Sequence, residues 1–168
     1  MEKRTLLIGM ILGLVLSIFV AGFAFKTAAP TMLFKEVNVP HGFDKTVQMI
    51  QDRINHQEGW HVTGVVDQQK EILENGGKDV GKVKIIKFCN GKLSGEMLGR
   101  DGSKFMAAKM PLSIAVYEKS DGRVTIGLMN GYLMARLFSG SREAVIMEQV
   151  IKDMEEIMSF THFRFTLF

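Results

Sequence analysis

The sequence predicts an α+β fold, a small sandwich of helices over a mostly antiparallel sheet, carried on one N-terminal transmembrane helix. Three observations predict it. An uncharged apolar run of bilayer length opens the chain. Beyond it, stretches of alternating hydrophobicity interleave with stretches of helical period. Two of the alternating runs flank Lys119-Ser120-Asp121-Gly122, which reads as a hairpin turn.

Thr5 to Phe25, TLLIGMILGLVLSIFVAGFAF, carries no charge over 21 residues. At 1.5 Å per residue a helix of that length spans roughly 30 Å, the thickness of bilayer hydrocarbon. A cleaved secretion signal has an apolar core of only about 7–15 residues. The run therefore reads as a retained anchor, residues 1–26, touching membrane lipid through residues 5–25, although Gly22-Phe23-Ala24 resembles a cut site. Lys3 and Arg4 precede it and only Lys26 follows closely. The positive-inside bias then places the N-terminus in the cytoplasm and the domain on the periplasmic side of the inner membrane. Gly9 and Gly13 form a GxxxG pair that permits close helix packing, with a protein partner or a second copy.

Residues 27–31 read as a linker and 32–159 as the domain. Met32 to Val39 alternates as a strand ended by Pro40. Phe43, Val47, Ile50 and Ile54 recur at helical spacing, with Asp44 at the expected N-cap and Gly59 past the end. Trp60 to Val66 alternates as a second strand, and Gln68 to Glu74 is a short polar helix stopped by Asn75-Gly76-Gly77. Val83 to Cys89 is a β-branched third strand, broken by Asn90-Gly91, and Lys92 to Leu98 a brief helix. Leu112 to Tyr117 and Val124 to Leu128 form the hairpin. Tyr132 to Phe138 and Arg142 to Met158 are helices, the second with Met147, Val150, Ile151, Met154 and Ile157 on one face.

The 168-residue chain carries 21 basic and 18 acidic residues. Setting aside Lys3, Arg4, Lys26 and Glu2 leaves the domain near +1, without the basic stripe of a nucleic-acid binder. Lys82, Lys84 and Lys87, the one tight basic cluster, read as a solvated strand face, and no nucleic-acid partner is expected. The single cysteine, Cys89, excludes an internal disulfide, so the fold must stand on its core.

VKIIKFCNGKLSGEML at Val83–Leu98 and MPLSIAVYEKSDGRVTIG at Met110–Gly127 resemble the domain of unknown function 302 family. Met110-Pro111 matches its Leu-Pro step, Asp121-Gly122 its hairpin turn and Arg142 to Met158 its closing helix, over Thr31 to Met158. Gly91 stands where that family usually has Pro, and Asn130-Gly131 where it often has Asp-Pro. The resemblance implies a compact α+β fold, with a dimer as one expectation, and carries over no activity.

Cys89 ends a strand beside a glycine turn. It is either a buried small hydrophobe or a thiolate ligand for metal or haem iron. His61, set opposite Trp60 on its strand, points away from the core, and no histidine pair has zinc-motif spacing. Met106, Met110, Met129 and Met134 cluster around the hairpin; thioethers bind Cu(I) or haem iron, although Met147 and Met154 read as core filling. Cys89, His61 and Met110 are thus the candidate cofactor residues. No nucleophile–base set, Walker pattern or Cys-x-x-Cys is present. The tail at 160–168, FTHFRFTLF, alternates Phe163 and Phe165 with polar residues. It reads first as an extra strand. Alternatively Phe163, Phe165 and Phe168 meet a partner's sheet edge or the membrane interface. The expected function is a membrane-tethered extracytoplasmic accessory or binding module. A haem, copper or other redox protein, and a small enzyme with a site invisible in sequence, are the alternatives.

Overall fold

The computed structural model describes residues 2–166, with side chains from Leu6 onward. Helix α1 (Glu2–Leu33) is, among the described helices, the one long and apolar enough to cross a membrane. Its residues 6–27 are all exposed, so it stands clear of the domain. The helix takes in residues 27–31, which the sequence marks as a linker. Pro30 removes only its own N–H bond, the one to the Lys26 carbonyl. The hydroxyls of Thr27 and Thr31 bond back to Ala24 (3.0 Å) and Ala28 (2.9 Å). The first strand consequently starts at Phe34 rather than Met32.

The domain follows as β1 (Phe34–Val39), α2 (Phe43–His56), β2 (Trp60–Asp67), α3 (Gln68–Glu74), β3 (Val83–Asn90), α4 (Gly91–Leu98), a 3₁₀ stretch (Asp101–Lys109), β4 (Leu112–Glu118), β5 (Val124–Met129), α5 (Gly131–Leu137) and α6 (Arg142–Ile157). The five strands lie in the order β1-β5-β4-β3-β2, every pair antiparallel. The predicted β4–β5 hairpin forms, closed by Lys119 N–H to Arg123 O (2.8 Å), with Gly122 at φ +82° where a side chain would be strained.

α2 and α6 cover one face of the sheet. Ile50, Ile54, Ile86, Ile114, Val116, Ile126, Ile157 and Met158 are sealed between them. Each such side chain contributes about 2 kcal/mol of burial, so this seam of period-two and period-3.6 residues holds the domain. Two polar ties cross it. Trp60 Nε1 donates to Asp153 Oδ2 (2.8 Å), while Gln149 Nε2 donates to Oδ1 (2.7 Å), so the buried carboxylate on α6 has a partner on each oxygen. The Arg53 guanidinium donates to the carbonyls of Ile157 and Glu156, satisfying the open end of α6.

Two local expectations are corrected. α2 is capped by the backbone of Gly42, not by Asp44; the Thr46 hydroxyl donates to the Gly42 carbonyl (2.9 Å) and Asp44 sits exposed in the first turn. The described part of the tail, residues 160–166, forms no strand. After a 3₁₀ turn (Ser159–Thr161), His162 takes φ +56° and the chain doubles back, burying Phe163 and Phe165 in the main core with their rings edge to face at 4.7 Å. An extended segment laid over a helix seam buries alternate side chains just as a strand does, which is why alternation alone misreads it. Those two phenylalanines are therefore internal packing, not contacts for a partner or a lipid surface; Phe168 lies outside the described residues.

On the opposite sheet face Glu36 accepts from Lys119 (2.6 Å) and from the Tyr117 hydroxyl. The bond from Lys119, then that from Tyr117, holds the Glu36 carboxyl below its ordinary value. Burial, then the Glu36 carboxylate, pushes the Tyr117 phenol above its own.

Candidate functional site

A cavity of about 450 Å³ lies at one end of the sheet. Register brings its walls together: Trp60 opens β2 opposite Asn90, which closes β3; Phe88 faces Leu112 and Lys87 faces Ser113 on β4; Leu128 faces Ile114. α4, the 3₁₀ stretch, the start of α5 and the inner face of α6 complete the wall.

The lining is rich in thioethers. Met97, Met106, Met110, Met129, Met134, Met147 and Met154 all reach it, with Leu93, Val150, Ile151 and Phe165 between them. Methionine is unbranched and polarisable, so such a wall adapts to varied apolar shapes. The α6 stripe, read from sequence as core filling, supplies the cavity side of that helix. Met110 joins the site through a strand entrance with a cis bond to Pro111.

Polar groups are few. Cys89, half-buried, places its Sγ 3.1 Å from Ser94 Oγ on α4. Asn90 is buried, and its Oδ1 accepts from Leu93 N–H (3.1 Å), capping α4. Gly59 permits this arrangement: at φ +76°, a Cβ there would come within 2.8 Å of Asn90 Nδ2. Among the described residues Lys87 and Lys109 are the charged members of the lining, both exposed, and no carboxylate lines it. Exposed Ser113 and Met129 lie with them; strand alternation sets Lys87, Ser113 and Met129 on the sheet face opposite Phe88 and Leu128, so the cavity opens round the sheet end toward that face.

Of the candidates read from sequence, Cys89 and Met110 meet in this cavity. His61 does not line it; it sits exposed, in register opposite Cys89 across the β2–β3 pair. Among the described residues no group of three or more His, Cys, Asp or Glu side chains is placed to share a metal ion. Gly9 and Gly13 are exposed on α1, and a Cβ added at either would meet nothing within 4 Å. Met97, Met147, Met154 and Ser94 are site residues that spacing did not reveal. The chain's high methionine count was the one sequence signal for them.

A second construction adjoins the cavity. Asn130, fully buried between Met129 and Gly131, donates through Nδ2 to the carbonyls of Met32 (2.8 Å) and Thr166 (3.0 Å) and accepts from Tyr132 N–H (3.2 Å); its own N–H reaches Leu33 O (2.8 Å). One amide thereby ties the end of α1, the start of α5 and the C-terminal segment together. An aspartate there would cap α5 but lack both donors.

The chain matches the model for the domain of unknown function DUF302 over residues 35–160. Its fold is similar to the crystal structure of an uncharacterized conserved DUF302 protein from Bacillus stearothermophilus, with a TM-score of 0.66 and 18% sequence identity, covering 77% of this chain and 98% of that one. No curated protein matches the chain.

Proposed function

The chain belongs to the DUF302 family, and we propose that this member is a membrane-tethered binding module that takes up a small apolar molecule in its methionine-lined cavity. The observation that carries the reading is the cavity itself. Its volume, about 450 Å³, falls in the range of small-molecule sites, about 300–1,000 Å³, and its wall is apolar with a few convergent polar groups. α1 acts as a retained anchor, and the basic residues at its N-terminal end orient the domain away from the cytoplasm. The module works as an accessory beside other membrane or periplasmic proteins, with the exposed α1 glycines free for helix packing.

Trp60, the one tryptophan of the chain, lines the cavity and reports on its contents. The full chain in phosphatidylcholine vesicles is titrated with the uncharged dye N-phenyl-1-naphthylamine, and energy transfer from Trp60 is read. Val150→Phe, which narrows the cavity, lowers transfer from dye held there and leaves transfer from dye in the membrane as the background. Transfer in excess of that background supports the reading; equal transfer refutes it. A mature chain beginning near Phe25, or a protein released on cell breakage, would refute the tether.

A second reading, capture of haem or Cu(I), is favoured by one observation: Cys89, Met110 and six further thioethers share one cavity. Metal analysis and the absorption spectrum of the purified protein test it, and a colourless, metal-free sample that takes up neither group would end it.

A further inference from the structure

Resting on that cavity reading, we infer that the ligand is a single-chain anionic amphiphile of the fatty-acid class, and that it enters from the bilayer. Three observations converge. The interior is thioether and hydrocarbon, which suits an acyl chain, and a two-chain phospholipid exceeds a site of about 450 Å³. Among the described residues the charged groups of the lining are Lys87 and Lys109, both exposed, with no lining carboxylate to neutralise them. Neither lysine is in a salt bridge among the described residues. A carboxylate head at the mouth meets positive charge while its tail lies among the methionines.

The third observation fixes the direction of entry. β1 leaves α1 without a break, since Phe34 follows Leu33, and Phe34 pairs with Met129 at the mouth. The antiparallel register then places Lys87, Ser113 and Met129 at the sheet end where α1 enters. From Lys26, the first charge after the apolar run, the helix continues to Leu33, about 10 Å at 1.5 Å per residue. The mouth therefore faces the lipid headgroups across a short gap, and Asn130 holds that geometry.

The experiment uses the full chain in phosphatidylcholine vesicles, cis-parinaric acid and its uncharged methyl ester as probes, and transfer from Trp60 above the Val150→Phe background. The acid is expected to bind about tenfold more tightly than the ester, roughly threefold for each exposed lysine, and the Lys87→Gln, Lys109→Gln double variant to bring the two together. Equal binding of acid and ester, or an unchanged double variant, overturns the anionic ligand while leaving the cavity reading intact. Binding of N-phenyl-1-naphthylamine but of neither parinaroyl probe overturns the acyl class. Failure of all three dyes removes the cavity reading and this inference with it. For the route, acid preloaded into the protein's own bilayer is expected to fill the cavity within mixing time, and acid carried on protein-free vesicles only as fast as it desorbs. Identical time courses would overturn entry from the bilayer.

Discussion

Replacing Asn130 by alanine removes three side-chain hydrogen bonds from a residue that is 1% exposed. The lost α5 cap costs about 1 kcal/mol. The Met32 carbonyl, half-buried at the end of α1, is left without its donor at about 1–2 kcal/mol. Thr166 is exposed, so water replaces its bond at roughly 0.5 kcal/mol. The total is about 3 kcal/mol. For a domain of this size that lowers Tm by on the order of 10 °C. Urea unfolding of the full chain in mild detergent, followed by Trp60 fluorescence, measures it directly. Asn130→Asp separates the contributions. It keeps the cap acceptor but sets a carboxylate against two carbonyl oxygens, so it should cost as much as alanine at pH 7 and recover part of the loss in acid, where the protonated carboxyl donates again. A loss below about 1 kcal/mol in both variants would refute the argument that this amide joins α1 to the domain. Full stability in Asn130→Asp alone would show that only the cap matters.

Asp153→Ala strips Trp60 of its acceptor and should cost about 2 kcal/mol, with a shift in Trp60 emission; emission and stability both unchanged would count against the buried tie. Val150→Phe should lower dye transfer toward the membrane background yet cost less than about 1 kcal/mol in urea unfolding, because growing into a real void avoids the 1–3 kcal/mol of ordinary overpacking; a larger loss would mean that the space is already filled. The Glu36–Tyr117–Lys119 group gives a pH signature. Glu36 has a depressed folded value, so its contribution is present above the unfolded value of about 4.3 and is lost as pH falls through the folded one. Tyr117 has a raised folded value, so its contribution is present below about 10 and is lost as pH rises through the folded one. Tyr117→Phe should abolish the alkaline limb and shrink the acid limb, itself under about 1 kcal/mol because Glu36 is largely exposed; a stability–pH profile identical to wild type would refute the assignment.

Fold class and the order of elements were legible from the chain alone, because hydrophobic period and turn chemistry are local. Trp60, Val62, Ile86, Phe88, Ile114 and Val116 alternate in sequence as they do on the sheet, and Asp121-Gly122 dictates a hairpin wherever it stands. Locality is also where that reasoning failed. Nothing within a few residues of Phe163 says whether its alternation pairs with a strand or seals a helix seam; the packing of α6 decided it.

The length and charge pattern of residues 5–25 determined by themselves that the chain has a helix able to span a bilayer, since transfer from water to lipid depends on composition over one helix length. The cavity was decided only in three dimensions. Met97, Met110, Met129 and Met147 stand far apart in the chain, and it is the antiparallel register of β3, β4 and β5, with α4 and α6 folded across their ends, that turns scattered thioethers into one wall. Long-range pairing of this kind leaves no period in the sequence, because the entropy lost in bringing distant segments together is repaid by the whole core rather than by any one motif.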